Sequence, residues 1–99
     1  MSCGAPEQGG SLAGVNLDKQ AVVEGVVRRD GAPVSPAYVR LLDRSGEFTA
    51  EVVTSEAGEF RFFAGPGEWT VRTLAPRSAT VDVPVTAALG QVATVEVLV

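Results

Sequence analysis

The most reactive side chain in this sequence is Cys3, the only cysteine of the chain. An accessible thiolate is a nucleophile, and it could hold a persulfide or form a mixed disulfide with a partner. No cation lies close to it in sequence, since Glu7 is acidic and the nearest basic residue is Lys19. The residues leave two interpretations open: a persulfide-carrying thiol, or a cysteine without a role in a leader segment.

Three arginines occupy strand positions that should point away from the core: Arg40, Arg61 and Arg72. On neighbouring strands, their guanidinium groups could together bind an anion such as thiosulfate or sulfite. Acidic residues nearby, namely Glu24, Glu51 and Glu59, offer the alternative of cross-strand ion pairs. The abundance of acidic residues favours ion pairs over an anion site.

The chain has no histidine, which removes the commonest general base and the commonest metal ligand together. Zinc would have to be held by Cys3 and carboxylates, a poor set of ligands. No glycine-rich segment lies between a strand and a helix, as a phosphate-binding loop requires. The sequence therefore predicts a protein that is not an enzyme and uses no metal or cofactor.

The length and charge of the chain limit its class of partner. It has 99 residues, enough for one domain, and a net charge of −4 from 12 acidic and 8 basic residues. This charge argues against binding to nucleic acid or to an anionic membrane. No run approaches the roughly 18 apolar residues of a membrane span, and the N-terminus does not resemble a signal peptide. We therefore expect a cytoplasmic location.

Alternating apolar and polar residues, interrupted by short turns, dominate the chain from Gln20 onward. This pattern predicts an all-β domain at 20–99, with antiparallel sheets packed face to face, after a flexible N-terminal arm at 1–19. Seven strands are predicted, at residues 23–28, 38–43, 47–54, 60–63, 68–74, 81–85 and 95–99. Pro84 predicts that the sixth strand lies at an edge or is interrupted, and Trp69 is predicted at the centre of the core.

Some apolar residues fall on the polar side of the alternation: Tyr38, Leu42, Val53, Phe63 and Leu74. Several of them on one sheet would form a patch that binds a protein partner or a second copy of the chain. A shift of one residue in the assumed phase would instead place some of them in the core. Exposed strand edges also favour a homodimer.

One set of turn and strand motifs resembles the carboxypeptidase regulatory-like domain. The motifs are Asp30-Gly31-Ala32-Pro33-Val34, Gly58-Glu59-Phe60-Arg61-Phe62 and Pro66-Gly67-Glu68-Trp69-Thr70-Val71, with Trp69 where that family usually has tyrosine. The resemblance spans residues 22–74 and implies a seven-stranded antiparallel β-sandwich of the prealbumin (transthyretin-like) type. The matched residues are structural ones in that family.

The whole chain is also similar to a family of short actinobacterial proteins of unknown function associated with a thiosulfate sulfurtransferase (rhodanese). The similarity is carried by a cysteine near the start and by Val15-Asn16-Leu17-Asp18-Lys19, Val39-Arg40-Leu41-Leu42-Asp43 and Glu47-Phe48-Thr49-Ala50-Glu51-Val52-Val53. The resemblance implies a non-catalytic accessory protein in sulfur metabolism, with that enzyme as its partner. The alternatives are a persulfide carrier that uses Cys3, and a small-ligand binder similar to transthyretin-type hydrolases, whose histidine-containing site this chain lacks.

Overall fold

The computed structural model describes residues 20–99; the predicted arm at 1–19 and Cys3 lie outside the described residues. Eight strands make up the described part of the chain. They are β1 (Ala21–Arg29), β2 (Ala32–Pro33), β3 (Tyr38–Leu42), β4 (Phe48–Val53), β5 (Glu59–Ala64), β6 (Gly67–Leu74), β7 (Val81–Ala87) and β8 (Val92–Leu98). The all-β prediction is confirmed, and the strand that the sequence did not predict is the two-residue β2.

The strands form two four-stranded sheets. In sheet A, β1 pairs with β2, β5 and β8, and in sheet B the order is β4-β3-β6-β7. Sheet B is antiparallel throughout. Its strand order places β7 at an edge, as Pro84 predicted. The edge position accommodates the missing N–H of proline.

β2 exists because a tight turn returns the chain directly onto β1. Asp30 and Gly31 connect the paired residues Arg29 and Ala32. The φ angle is 52° at Asp30 and 82° at Gly31. Two residues with positive φ form the type I′ turn, whose twist matches that of the strands it joins. The Asp-Gly turn was predicted, but the short pairing beyond it was not.

The pairing of β8 with β1 is parallel, whereas the sequence had suggested only antiparallel sheets. The loop before β8 lies at the start of β1, where the Val22 N–H donates to the Gln91 carbonyl at 3.2 Å. Because β8 begins beside the start of β1, it runs in the same direction. Alternation along a single strand carries no information about strand direction.

One hydrophobic core lies between the two sheets. Buried residues of both sheets contribute to it, including Val23, Val27, Phe60, Phe62, Val95 and Val97 from sheet A and Val39, Leu41 and Val71 from sheet B. The inward positions predicted for β1, β3, β5 and β8 are confirmed. Outward side chains of β3, with those of its neighbours in sheet B, form the surface described below.

Two aromatic residues differ from their predicted positions. The alternation over 47–54 puts Phe48 on the same side as Val52 and predicts that both face inward. Val52 is buried, but Phe48 is 62% exposed, and the register between β3 and β4 shifts at Leu41/Leu42. Trp69 was predicted at the centre of the core, and this was wrong. It is half-buried against the edge of the core, where its indole N–H donates to the Gly65 carbonyl at 2.9 Å.

Candidate functional site

A row of four charged residues crosses the outer face of sheet B. Its order is Glu51, Arg40, Arg72 and Asp82, one residue from each strand. The Arg40 Nε lies 2.6 Å from a Glu51 carboxylate oxygen, and Arg72 donates to both Asp82 oxygens at 2.9 and 3.0 Å. Hydrogen bonding to Arg72 lowers the pKa of Asp82. We call this set the charged row.

The charged row brings together two of the three arginines considered for an anion site, Arg40 and Arg72. The third, Arg61, lies on sheet A, where its Nε is 3.1 Å from a Glu24 carboxylate oxygen. The structure therefore does not bring the three guanidinium groups to one place. Each of them has a carboxylate partner on a neighbouring strand, which is the alternative arrangement that the sequence favoured.

Next to the charged row lies a row of apolar side chains: Val53, Tyr38 and Leu74. Tyr38 is 49% exposed and Val53 is 46% exposed, while Leu74 is half-buried. We call this set the Tyr38 row. Of the five residues proposed for an interaction patch, the structure brings together Tyr38, Val53 and Leu74.

The two remaining patch residues lie elsewhere. Leu42 is 4% exposed and so offers almost no accessible surface. Phe63 is half-buried on sheet A, opposite Val22 of β1. Sequence alternation places both on the outward side, but burial depends on packing that alternation does not describe.

The Tyr38 row and the charged row are two residues apart along each strand, a separation of about 7 Å. The surface therefore has an apolar strip bordered by charges that are already paired. Protein–protein interfaces share this arrangement of an apolar centre with a polar rim, and tyrosine is enriched in them. Chemically, the surface is suited to packing and hydrogen bonding.

Several acidic residues of the described range 20–99 serve structural roles in turns and ion pairs. This part of the chain contains no group of three or more His, Cys, Asp or Glu residues that could hold a metal ion. The pKa of Asp43 is lowered by the Ser45 hydroxyl and by the N–H groups of Glu47, Ser45 and Gly46, which stabilise a turn. These residues also contain no helix with the length and apolar character of a bilayer span.

Sequence reasoning missed one further feature, a surface cavity of about 260 Å³ lined by Arg29 and Arg77. Arg77 was not among the candidate residues because it follows Pro76 in a loop without any strand pattern. The two arginines are 48 positions apart, so only the tertiary structure brings them to one cavity. No local sequence signal could have identified this pair.

These features define a small two-sheet β domain with an apolar strip and a row of ion pairs on the outer face of sheet B. Residues 3–99 match the family described as "Protein of unknown function (DUF1416)", and the chain belongs to this family. The match begins at Cys3, so it includes residues that precede the described domain.

Relatives of known source are actinobacterial and uncharacterized. Two uncharacterized proteins of Mycobacterium tuberculosis (strain H37Rv) are each 58% identical over 74 residues, which is 73% of this chain and 74% of theirs. An uncharacterized protein of Mycolicibacterium smegmatis is 62% identical over 63 residues, which is 63% of this chain and 70% of that protein.

Among solved structures, the chain is similar to the dioxygenase domain of a dioxygenase–carbohydrate-binding fusion protein from Streptomyces sp. SirexAA-E. The TM-score is 0.63 at 12% identity, and the match covers 89% of this chain and 84% of that chain. At this identity the similarity concerns the fold alone.

Proposed function

We propose that this protein is a non-catalytic interaction module that binds a protein partner through the Tyr38 row. The observation that supports this most is the pairing of Tyr38 with Val53, both about half exposed, on one open sheet face. The family resemblance noted from the sequence makes a cytoplasmic thiosulfate sulfurtransferase the expected partner, which would place the module in sulfur metabolism.

We also propose that the two sheets form a sandwich of the prealbumin type. Two four-stranded sheets that share one core support this proposal. The two-residue β2 is an extension of the β1 turn, and the other seven strands correspond to the seven that the sequence predicted.

The order of charges on sheet B disfavours one arrangement of a homodimer, in which the charged rows of two copies are superposed. In a two-fold symmetric dimer, the same patch of both subunits must face itself. The charged row reads acidic, basic, basic, acidic, and this order is the same in both directions. Two copies with superposed rows would therefore set arginine against arginine and acid against acid.

The test is co-elution and calorimetric titration of the purified full-length chain with a thiosulfate sulfurtransferase from the same organism. Replacing Tyr38 with serine should weaken binding by at least about tenfold, because truncation of a central interface tyrosine commonly has this effect. The matched control is Leu98→Ser. Leu98 is 65% exposed on β8 of sheet A, so this variant removes a similar apolar side chain away from the Tyr38 row.

Three results would contradict the proposal. Equal weakening by Leu98→Ser would show that the Tyr38 row has no special role, and absence of co-elution would remove the expected partner. Loss of binding in Cys3→Ser with full binding in Tyr38→Ser would move the contact to the cysteine and favour the persulfide carrier instead.

A further inference from the structure

One end of the molecule has a cavity of about 260 Å³ that opens to solvent at the end of β1. Two loops complete it, the one between β2 and β3 and the one between β6 and β7. Its lining consists of Arg29, Ala32, Pro33, Val34, Ser35, Pro36, Pro76 and Arg77. The two cationic groups thus sit among proline and other small side chains, and no acidic residue lines the cavity.

The arginines of this cavity differ from the others in the chain. All seven arginines belong to the described residues, and five of them lie within 4.0 Å of a carboxylate: Arg28, Arg40, Arg44, Arg61 and Arg72. Within residues 20–99, Arg29 and Arg77 have no such carboxylate partner. In a chain with a net charge of −4, two cations without an acidic partner at one cavity mark a local positive potential.

The guanidinium of Arg29 is held in place before any ligand arrives. Its Nη2 donates to the Pro76 carbonyl at 2.5 Å and to the Ser78 hydroxyl, both in the β6–β7 loop. A guanidinium has five N–H donors, so donors remain available for a bound group. Fixing an arginine in advance reduces the entropy that binding would otherwise cost.

Arg77 lies between the two residues that hold Arg29, and its backbone is in the left-handed region with φ of 58°. Residues other than glycine rarely adopt this conformation, and it recurs at binding sites where the surrounding structure maintains it. The side chain is exposed at the rim of the cavity. Arg77 thus adds a second cationic residue to the lining that contains Arg29.

We propose that this cavity binds a small tetrahedral oxyanion of the sulfate, thiosulfate or phosphate type. Arginine side chains bind such ions through parallel N–H donors, and both Arg29 and Arg77 line the cavity. A cavity of about 260 Å³ has room for the ion, since each water in the liquid occupies only about 30 Å³. The site shares no residue with the Tyr38 row, so a failure of one proposal does not affect the other.

The experiment is an NMR titration of the full-length chain with sodium sulfate, thiosulfate and phosphate. Sodium acetate and sodium chloride at matched ionic strength serve as comparison salts. We expect saturable shifts at the Nε–H signals of Arg29 and Arg77 with the three oxyanions. Arg77→Gln should weaken binding by about tenfold or more, because a hydrogen bond between charged groups contributes at least that factor.

Arg44→Gln is the matched control, because it removes the same charge from an exposed arginine outside the cavity. It should leave the affinity unchanged. Arg77→Lys keeps the charge but loses the planar arrangement of donors, and it should bind with intermediate affinity. Thermal unfolding of each variant without added anion verifies that the fold is intact.

The proposal is overturned if chloride or acetate produces the same saturable shifts, or if Arg44→Gln weakens binding as much as Arg77→Gln. The absence of saturation with any of the three oxyanions would also overturn it. Unchanged affinity in a folded Arg77→Gln variant would show that Arg77 does not bind the anion, and it would overturn the proposed arginine pair.

Discussion

At the scale of single residues, Gly25 shows how closely sheet A is packed. A Cβ atom at this position would lie 2.0 Å from the Val95 carbonyl oxygen and 2.7 Å from the Phe60 ring. The ring belongs to a fully buried side chain, and the carbonyl belongs to the backbone of β8. Neither can move without disturbing the pairing of β1 with its neighbours.

We therefore expect Gly25→Ala to lower the free energy of unfolding by about 3 kcal/mol or more, as overpacking of a rigid core does. Urea unfolding followed by tryptophan fluorescence measures this change. The control is Gly65→Ala, where a Cβ would meet no atom within 4 Å. Similar losses in the two variants would show that the close contact at Gly25 does not determine the effect.

At the scale of strands, the charged row connects all four members of sheet B. Arg72 on β6 bonds to Asp82 on β7, and this hydrogen bond lowers the pKa of Asp82 below its ordinary value of 3.8. Because the pKa of Asp82 is lower in the folded state than in the unfolded chain, ionised Asp82 stabilises the fold at pH values above its unfolded pKa. That contribution is lost as the pH falls through the lower, folded value.

Asp82→Asn should consequently lower the stability at neutral pH by no more than about 1 kcal/mol, since the pair is exposed. The difference from the unmodified chain should shrink as the pH falls below 3.8 and disappear below the lowered pKa of folded Asp82. Thermal unfolding midpoints measured across this pH range test the prediction. Glu56→Gln removes a carboxylate that has no ion pair among residues 20–99, and it should show no such pH-dependent difference.

The sequence predicts what is local to a strand and misses what depends on pairing. Alternation correctly predicts that Val39 and Leu41 face inward and Arg40 outward, because side-chain direction follows the period of the strand. The Arg72–Asp82 pair and the joint cavity of Arg29 and Arg77 require the register and the loop positions, which alternation does not contain. Trp69 was misplaced because size and hydrophobicity alone do not distinguish the centre of a core from its edge.

At the scale of the whole molecule, the first and last strands of the described domain lie side by side. β8 pairs with β1 from Val22↔Val92 to Arg28↔Leu98, and it supplies the buried Val95 and Val97 to the core. Contacts between residues so distant in sequence slow folding, because the intervening loop must close first. Sheet A is complete only when β8 has joined it.

A chain truncated after Gly90 should therefore lose cooperative unfolding. The truncated chain lacks β8, so one edge of β1 is left unpaired and the core residues of β8 are missing. Thermal unfolding followed by circular dichroism tests this expectation, with the full-length Leu98→Ser variant as control because it alters only an exposed side chain of the same strand. A truncated chain that still unfolds cooperatively would show that β8 is dispensable for the fold.

The parallel pairing of β1 and β8 also has a practical consequence for experiments. Gln20 enters the domain at one pole and Val99 leaves it at the other, about 20 Å away along the paired strands. The Val99 N–H donates to the carbonyl of Arg28, the residue before Arg29. Val99 therefore lies beside the end of β1 that carries Arg29, one of the residues that line the proposed anion cavity. Immobilisation through Val99 would thus place the support next to this end of β1, where it could hinder access to the cavity.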